Sequence, residues 1–384
     1  MKSNNNLQTI SIISPQYGTV GTDINYYKIA KQLSNQGHII KLLIIGDEWK
    51  EVENNSSIEK INLIPKSVFN FLKIFNILNW KITMILACVL AIIPFIGFIC
   101  KNKKSHYLLG LVPIFPMIFF VLFNIRSKVI FSIQGLPKSN VFSLNIIISK
   151  LVKNIRYVIP HEGMKTYIKN NYNFSNLKNL SVIENAVLDK SIIDLSKEKV
   201  DENIFSDKNK TILIGVGRLT RQKNFDMLIR SFYKLNKDKP DTRLVILGNG
   251  EEKSKLLKLT ESLKLTEKVH FLGHVKNPFK YMKSSDLFIM SSRWEGPGHV
   301  LIEALGIGCP VITTDCPSGP KETIQNGKFG LIVENDNDQE LYLAMNHALN
   351  NKDTMKKKVN ESKAYMKRFY TEQVAEKYLN LFIN

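Results

Sequence analysis

The chain has 384 residues, 44% of them apolar and 23% charged, with a formal net charge of +19 at neutral pH. This composition excludes a disordered or low-complexity protein, and the length calls for two or three hydrophobic cores rather than one. Four cysteines, Cys88, Cys100, Cys309 and Cys316, show neither CxxC pairing nor histidines at ligand spacing, which excludes a disulfide framework and a zinc site and fits a reducing compartment.

The first apolar run, Ile10 to Ile13, is strand-sized and too short for a signal peptide, so the chain is expected to stay in the cytoplasm. TISIIS reads as a strand, a loop with Gly18 and Gly21 follows, and YYKIAKQLSNQGH and IIKLLIIG read as helix and strand. That alternation is the rhythm of an α/β domain. Farther on, KSVFNFLKIFNILNWK keeps Lys66, Asn70, Lys73 and Asn76 at helical spacing against a Phe/Leu/Ile face, with Trp80 near its end. This is the pattern of a helix lying in a membrane interface.

Two uncharged runs come next, Ile82 to Cys100 and Tyr107 to Ile125, separated by KNKKSH. Each is about long enough to span a bilayer, but spanning would pull strands out of the first domain. The second run also reads as strand, Pro-containing loop and helix, leading into KVIFSIQG as the next strand. Between Ile61 and His161 there are twelve Lys or Arg and no Asp or Glu. An anionic membrane surface is therefore the expected partner of residues 61–161, by in-plane attachment first, with a membrane hairpin and a simple buried core as the other readings.

The polar stretch SKEKVDENIFSDKNK reads as a linker and divides the chain into domains at 1–200 and 201–365. Beyond it, TILIGVG, RLVILG, VHFLG, DLFIMSS and PVITT read as strands, alternating with the helices NFDMLIRSFYKL, EKSKLLKLTESLKL, PFKYMKSS and HVLIEALGIG. Apolar strands alternating with amphipathic helices imply a parallel sheet covered on both faces. The expected fold class is α/β, two doubly wound, Rossmann-like domains facing a cleft, with a last helix within 366–384 crossing back to the first domain.

In such sheets ligands sit at the carboxyl ends of the strands. Gly215 and Gly217 end one strand in GVGRLTRQKN, and Arg218, Arg221 and Lys223 follow at once. A diphosphate suits these cations, and a solvated basic turn is the alternative. After another strand comes SSRWEGPGHVLIEALGIG, where Gly296, Pro297 and Gly298 let backbone approach a ligand and the N–H groups of His299, Val300 and Leu301 open a helix. Glu295 and Glu303 flank that turn. Carboxylates accept from hydroxyls and repel phosphate, so a ribose and a sugar beside a diphosphate, that is a nucleotide-sugar, is the economical ligand. As mere helix-start acids they leave Glu303, inside an apolar helix, poorly explained.

GRLTRQKN followed by SSRWEGPGHVLIEALGIGCPVITTDCPSGPKE resembles the retaining glycosyltransferases of family GT4, which have the GT-B fold and carry Glu, seven residues, Glu as a hallmark. The likeness runs from about Thr211 to Val333, and DCPSGPKE looks most like bacterial enzymes of capsule, O-antigen or other lipid-linked glycan synthesis. It implies a hexose or N-acetylhexosamine donor, UDP-linked by expectation, and a lipid-linked or polysaccharide acceptor. Catalytic roles fall on Glu295, Arg218 and Lys223. Arg218 and Lys223 would neutralise the diphosphate, Glu303 would bind the ribose diol, and Glu295 would contact the transferred sugar. Gly298, His299 and Val300 would touch sugar hydroxyls or the distal phosphate, main-chain atoms near Val275 the base, and Gly21 the phosphate, with Gly217 also among the substrate-binding residues. The resemblance further implies transfer with retention and no cofactor.

Where relatives carry a histidine after the fourth strand of the first domain, YLLGLVP has none, and Gln134-Gly135 stands in place of their His-Gly. His161-Glu162 reads as surface polar residues, with compensation for the missing histidine as the alternative. Asp336-Asn337-Asp338 mimics a metal-binding Asp-x-Asp but reads as a helix cap made by Asp338, so no metal is expected. A basic nucleic-acid-binding or membrane-binding protein without catalysis is the rival outside enzymes; the basic segment lacks a recognition motif and is broken by long apolar runs, which disfavours nucleic acid as a partner. A dehydrogenase is disfavoured because neither glycine loop has GxGxxG spacing. Within the family, a soluble sugar acceptor is the alternative to a lipid-borne one.

Overall fold

In the computed structural model, residues 7–14, 21–49, 57–74, 80–110, 128–134, 154–171, 179–207, 209–317 and 319–383 are described. The chain forms two compact units, residues 1–186 with 371–384, and residues 187–370.

The first unit contains β1 (Thr9–Ile13), α1 (Gly21–Asn35), β2 (Ile39–Ile44), β3 (Ile58–Asn62), α2 (Lys66–Leu72), α3 (Trp80–Leu90), α4 (Ile92–Lys101), β4 (His106–Gly110), β5 (Val129–Ser132), β6 (Ile155–Ile159), α5 (Glu162–Asn171) and β7 (Leu180–Val182). Its strands run parallel in the order β3-β2-β1-β4-β5-β6-β7. β1 and β5 are buried on both faces, with Ile12 and Ile130 in one core and Ile13 and Val129 in the other, as a helix-covered parallel sheet requires. The helix α1 starts five residues before the stretch YYKIAKQLSNQGH, with Asp23 in its first turn where the helix dipole favours an acid.

The second unit runs α6 (Lys190–Leu195), β8 (Thr211–Val216), α7 (Phe225–Asp238), β9 (Thr242–Leu247), α8 (Lys253–Ser262), β10 (Val269–Gly273), α9 (Pro278–Lys283), β11 (Leu287–Met290), α10 (His299–Gly306), β12 (Val311–Thr314), α11 (Pro320–Thr323), β13 (Leu331–Val333), α12 (Asp338–Asn350) and α13 (Lys352–Met366). Its six strands are parallel in the order β10-β9-β8-β11-β12-β13. The last helix, α14 (Thr371–Ile383), lies in the first unit, where Val374, Tyr378 and Phe382 join Tyr26, Ile29 and Leu33 in one core.

The boundary between units falls after Ala186, not in the polar stretch 196–210. That stretch is fastened to the second unit, because the Asn277 amide donates to Glu198 at 2.9 Å and the Tyr281 hydroxyl donates to Glu202. Its charges are partners rather than a solvated linker. The helix expected across 66–81 ends as α2 at Leu72, and residues 75–79 lie outside the described residues. Run 82–100 forms α3 and α4, bent by 41° at their junction, and no single helix among the described residues is long and apolar enough to cross a membrane. Run 107–125 begins as β4, and its residues 111–125 lie outside the described set.

Candidate functional site

In the second sheet the strand order reverses between β8 and β11. At such a switch point the loops leaving two neighbouring strand ends turn to opposite faces and open a crevice between them. The two loops here are 217–224 and 291–298, the two stretches that carry the candidate side chains.

They are tied together by backbone and side chain. Arg293 N donates to the Gln222 carbonyl at 2.8 Å, the Gln222 amide donates to the Trp294 carbonyl at 2.9 Å, and the Ser291 hydroxyl donates to the Lys223 carbonyl at 2.9 Å. Arg293 also reaches the Arg221 carbonyl at 2.8 Å, while its Nε donates to Asp336 Oδ1, again at 2.8 Å. Asn224, in the left-handed region at φ 53°, donates to the same Asp336 oxygen at 2.8 Å. Asp336 thus straps both loops to the start of α12. Asp336→Ala is expected to raise the donor KM several-fold with a smaller effect on kcat, since the chemistry-bearing side chains remain but their loops loosen; steady-state kinetics on both constants checks this.

Lys223 Nζ lies 2.5 Å from Glu295 Oε1, with the two side chains only 17% and 8% exposed. The Ser292 hydroxyl donates to that same oxygen at 2.6 Å, and the Thr314 hydroxyl donates to the Ser292 carbonyl at 2.6 Å. Both ionic groups are therefore held in fixed positions. Arg218 is exposed and lines a cavity of about 340 Å³ with Gly217, Gly248, Asn249, His274 and Val275, at the ends of β8, β9 and β10. A Cβ on Gly248 would stand 1.9 Å from the Gly217 carbonyl, so only glycine lets β8 and β9 end this close together.

Gly298 sits at φ 70° just before α10, a conformation glycine adopts without strain. A Cβ on Gly296 would meet nothing within 4 Å, so packing does not demand a glycine there. Gly296→Val is expected to leave Tm unchanged and to raise the donor KM, measurable by thermal melts beside kinetics. His299 and Val300, half-buried, form the first turn of α10. Leu301 is different from expectation: its N–H donates to the Gly298 carbonyl at 2.9 Å, so the turn itself consumes it. Glu303 is half-buried in α10. Nearby, burial and then the Glu295 charge push the Cys316 thiol up to about 11, which leaves it neutral and unsuited to nucleophilic work.

Other expected residues lie in the first unit. Gly21 is the first residue of α1, and residues 15–20 of its loop lie outside the described set. Gln134 donates to the Ser132 hydroxyl at 2.9 Å, and Gly135 lies outside the described residues. His161 is not a surface residue: it is 4% exposed, and its Nδ1 accepts from Met164 N at 3.1 Å, stabilising the start of α5. The cap of α12 is likewise Asn337, accepting from Glu340 N at 2.9 Å, while Asp338 lies one residue inside. Amide and carboxylate are equally good caps, so only backbone phase distinguishes them. Ser292, Arg293 and Thr314 were not among the expected site residues. The polar Ser291-Ser292-Arg293 run at the end of a buried strand is the signal that points to the first two.

Residues 196–365 match the model of a family described as glycosyl transferases group 1. The chain is 34% identical over 241 residues, 62% of its length, to the N-acetylgalactosamine-N,N'-diacetylbacillosaminyl-diphospho-undecaprenol 4-alpha-N-acetylgalactosaminyltransferase of Campylobacter jejuni; the match spans 63% of that enzyme, under two thirds. To the amylovoran biosynthesis glycosyltransferase of Erwinia amylovora it is 27% identical over 82% of both chains. Among solved structures, a glycosyltransferase from Rickettsia africae superposes with a TM-score of 0.77 at 19% identity, covering 98% of each chain, which shows a shared fold of two Rossmann-like domains.

Proposed function

We propose that the chain, whose residues 196–365 match the model of the glycosyl transferases group 1 family, is a retaining glycosyltransferase that moves a hexose or N-acetylhexosamine from a UDP-linked donor to a lipid-linked or polysaccharide acceptor in cell-surface glycan synthesis, working in the cytoplasm at the inner face of the membrane. The observation that carries this reading is the convergence of Arg218, Lys223 and Glu295 on one switch point beside a cavity of about 340 Å³. The Campylobacter relative, named for a diphospho-undecaprenol acceptor, supports the lipid-borne alternative over a soluble sugar.

The ammonium of Lys223 has three N–H donors and uses one on Glu295, so two remain for phosphate oxygens. Arg218 supplies a second, exposed cation from the lining of the cavity. Glu295 takes both its bonds on Oε1, which leaves Oε2 to accept from a sugar hydroxyl. Glu303 accepts from the ribose diol, and the start of α10 offers N–H groups to the sugar or the distal phosphate. In a same-face substitution the bond from the anomeric carbon to the diphosphate oxygen breaks as the bond to the acceptor oxygen forms, and the acceptor proton passes to the departing phosphate. The enzyme's task is then to hold fixed charge where the leaving group gains it.

A panel of UDP- and GDP-sugars tests the reading: the true donor raises Tm by mass action and yields an α- or β-linked product matching the donor's anomeric configuration. Stabilisation by no nucleotide-sugar, or an inverted product, contradicts it. Glu303→Ala is expected to raise the donor KM by about 10- to 150-fold with kcat little changed, the loss of a charged hydrogen bond worth about 1.5–3 kcal/mol. An unchanged KM would remove Glu303 from ribose binding.

A further inference from the structure

From Ile82 to Cys100 the helix pair α3–α4 carries no charged residue on any side. Its inner face, Met84, Ala87, Cys88, Ala91, Phe95 and Ile99, is buried in the core of the first unit. Its outer face, Ile82, Ile85, Leu86, Val89, Leu90 and Ile93, repeats at helical spacing and is 37–80% exposed. Among the described residues, fifteen large apolar side chains are exposed, and eight of them lie between Phe71 and Ile93. Soluble monomers scatter such residues singly; a concentrated stripe marks an interaction surface. A helix apolar all round has apolar surroundings on both sides, and here the core supplies only one.

Charge decides what covers the other side. No Asp, Glu, Lys or Arg occurs from Ile82 to Cys100, and the stripe ends on exposed Lys101, Lys103 and Lys104. The stretch 61–161 around it holds twelve basic residues and no acidic one. A second copy of this chain would bring the same positive charge to the contact, whereas anionic lipid neutralises it. A membrane span would strip Met84, Phe95, Ile99 and their neighbours out of the core, whereas with one face in the core and the other exposed the two helices lie along the unit's surface.

We propose that the outer face of α3–α4 is an in-plane docking surface for an anionic bilayer, with Ile82, Ile85, Leu86, Val89, Leu90 and Ile93 entering the headgroup–acyl boundary and Lys101, Lys103 and Lys104 meeting lipid phosphates. The inference rests on the reading of the chain as working at a membrane, and it names the side chains that attach it there. An acceptor carried on lipid would then be presented to an enzyme already lying on the same surface.

The chain carries its own reporter. Cys100 is exposed at the end of the outer face while Cys88, Cys309 and Cys316 are buried, so an environment-sensitive fluorophore attached to the native protein reads this site. With phosphatidylcholine vesicles containing phosphatidylglycerol, the full chain is expected to co-sediment and the fluorophore to shift to the blue; with phosphatidylcholine alone, binding is expected to fall sharply. Ile93→Asp, at an 80% exposed position that leaves the fold intact, is expected to lower vesicle affinity about tenfold or more, with stabilisation by the nucleotide-sugar unchanged. Lys103→Glu with Lys104→Glu should remove most of the preference for phosphatidylglycerol. Alkaline carbonate is expected to release the bound protein.

Vesicle binding that Ile93→Asp leaves intact overturns the docking face while the membrane reading survives. No binding to either vesicle overturns both, and leaves the donor chemistry standing. Resistance to carbonate overturns in-plane attachment in favour of insertion. Dimerisation in solution that Ile93→Asp abolishes, without vesicle binding, assigns the stripe to a second copy and overturns the proposal.

Discussion

Arg218→Ala is expected to lower kcat by a factor of about a hundred or more with no loss of Tm. The side chain is exposed and lines the cavity beside β8, β9 and β10, so its removal leaves no buried hole. Its guanidinium presents paired donors suited to a diphosphate. The charge it meets grows as the glycosidic bond breaks, so the loss falls on kcat more than on KM. Kinetics at saturating donor, alongside a thermal melt, separates this outcome from unfolding. Unchanged turnover would remove Arg218 from the mechanism and return the loop to a solvated basic turn.

Lys223→Ala is expected to do damage of two kinds. Glu295, 8% exposed, would keep only its bond from Ser292 and lose its counter-charge. Breaking one side of such a pair costs about 3 kcal/mol, a fall in Tm of roughly 6–12 °C for a unit of this size. Donor turnover would fall as well, by about a hundredfold or more, through loss of a phosphate donor. Lys223→Ala combined with Glu295→Ala separates the two effects: removing the stranded carboxylate should restore most of the Tm and none of the activity. Recovery of activity in the double variant would show that Lys223 serves only to neutralise Glu295.

The alternation of strands and helices in the second unit was legible because its strands are unbroken apolar runs and its helices keep an apolar stripe. TILIGVG and DLFIMSS each end within a few residues of β8 and β11. The two candidate loops were legible for the same reason, since each directly follows a strand. What no local pattern encodes is which side chains meet across them. Lys223 and Glu295 are 72 residues apart in the chain, and their pairing depends on β8 and β11 being neighbours at the point where the sheet reverses. The strap from Asp336 to Arg293 and Asn224 is hidden in the same way, because it joins three separate loops. His161 and Asn337 show a different limit: a polar residue before a helix has one appearance in sequence whether it is solvated, buried or bonded to the first turn.

The most direct test is a crystal structure of the full chain with the nucleotide-sugar that gives the largest rise in Tm. The account predicts diphosphate oxygens about 3 Å from Arg218 and Lys223, the ribose hydroxyls on Glu303 and the sugar beside Glu295. A nucleotide bound away from the β8–β11 switch point, with Lys223 contacting only Glu295, would contradict it.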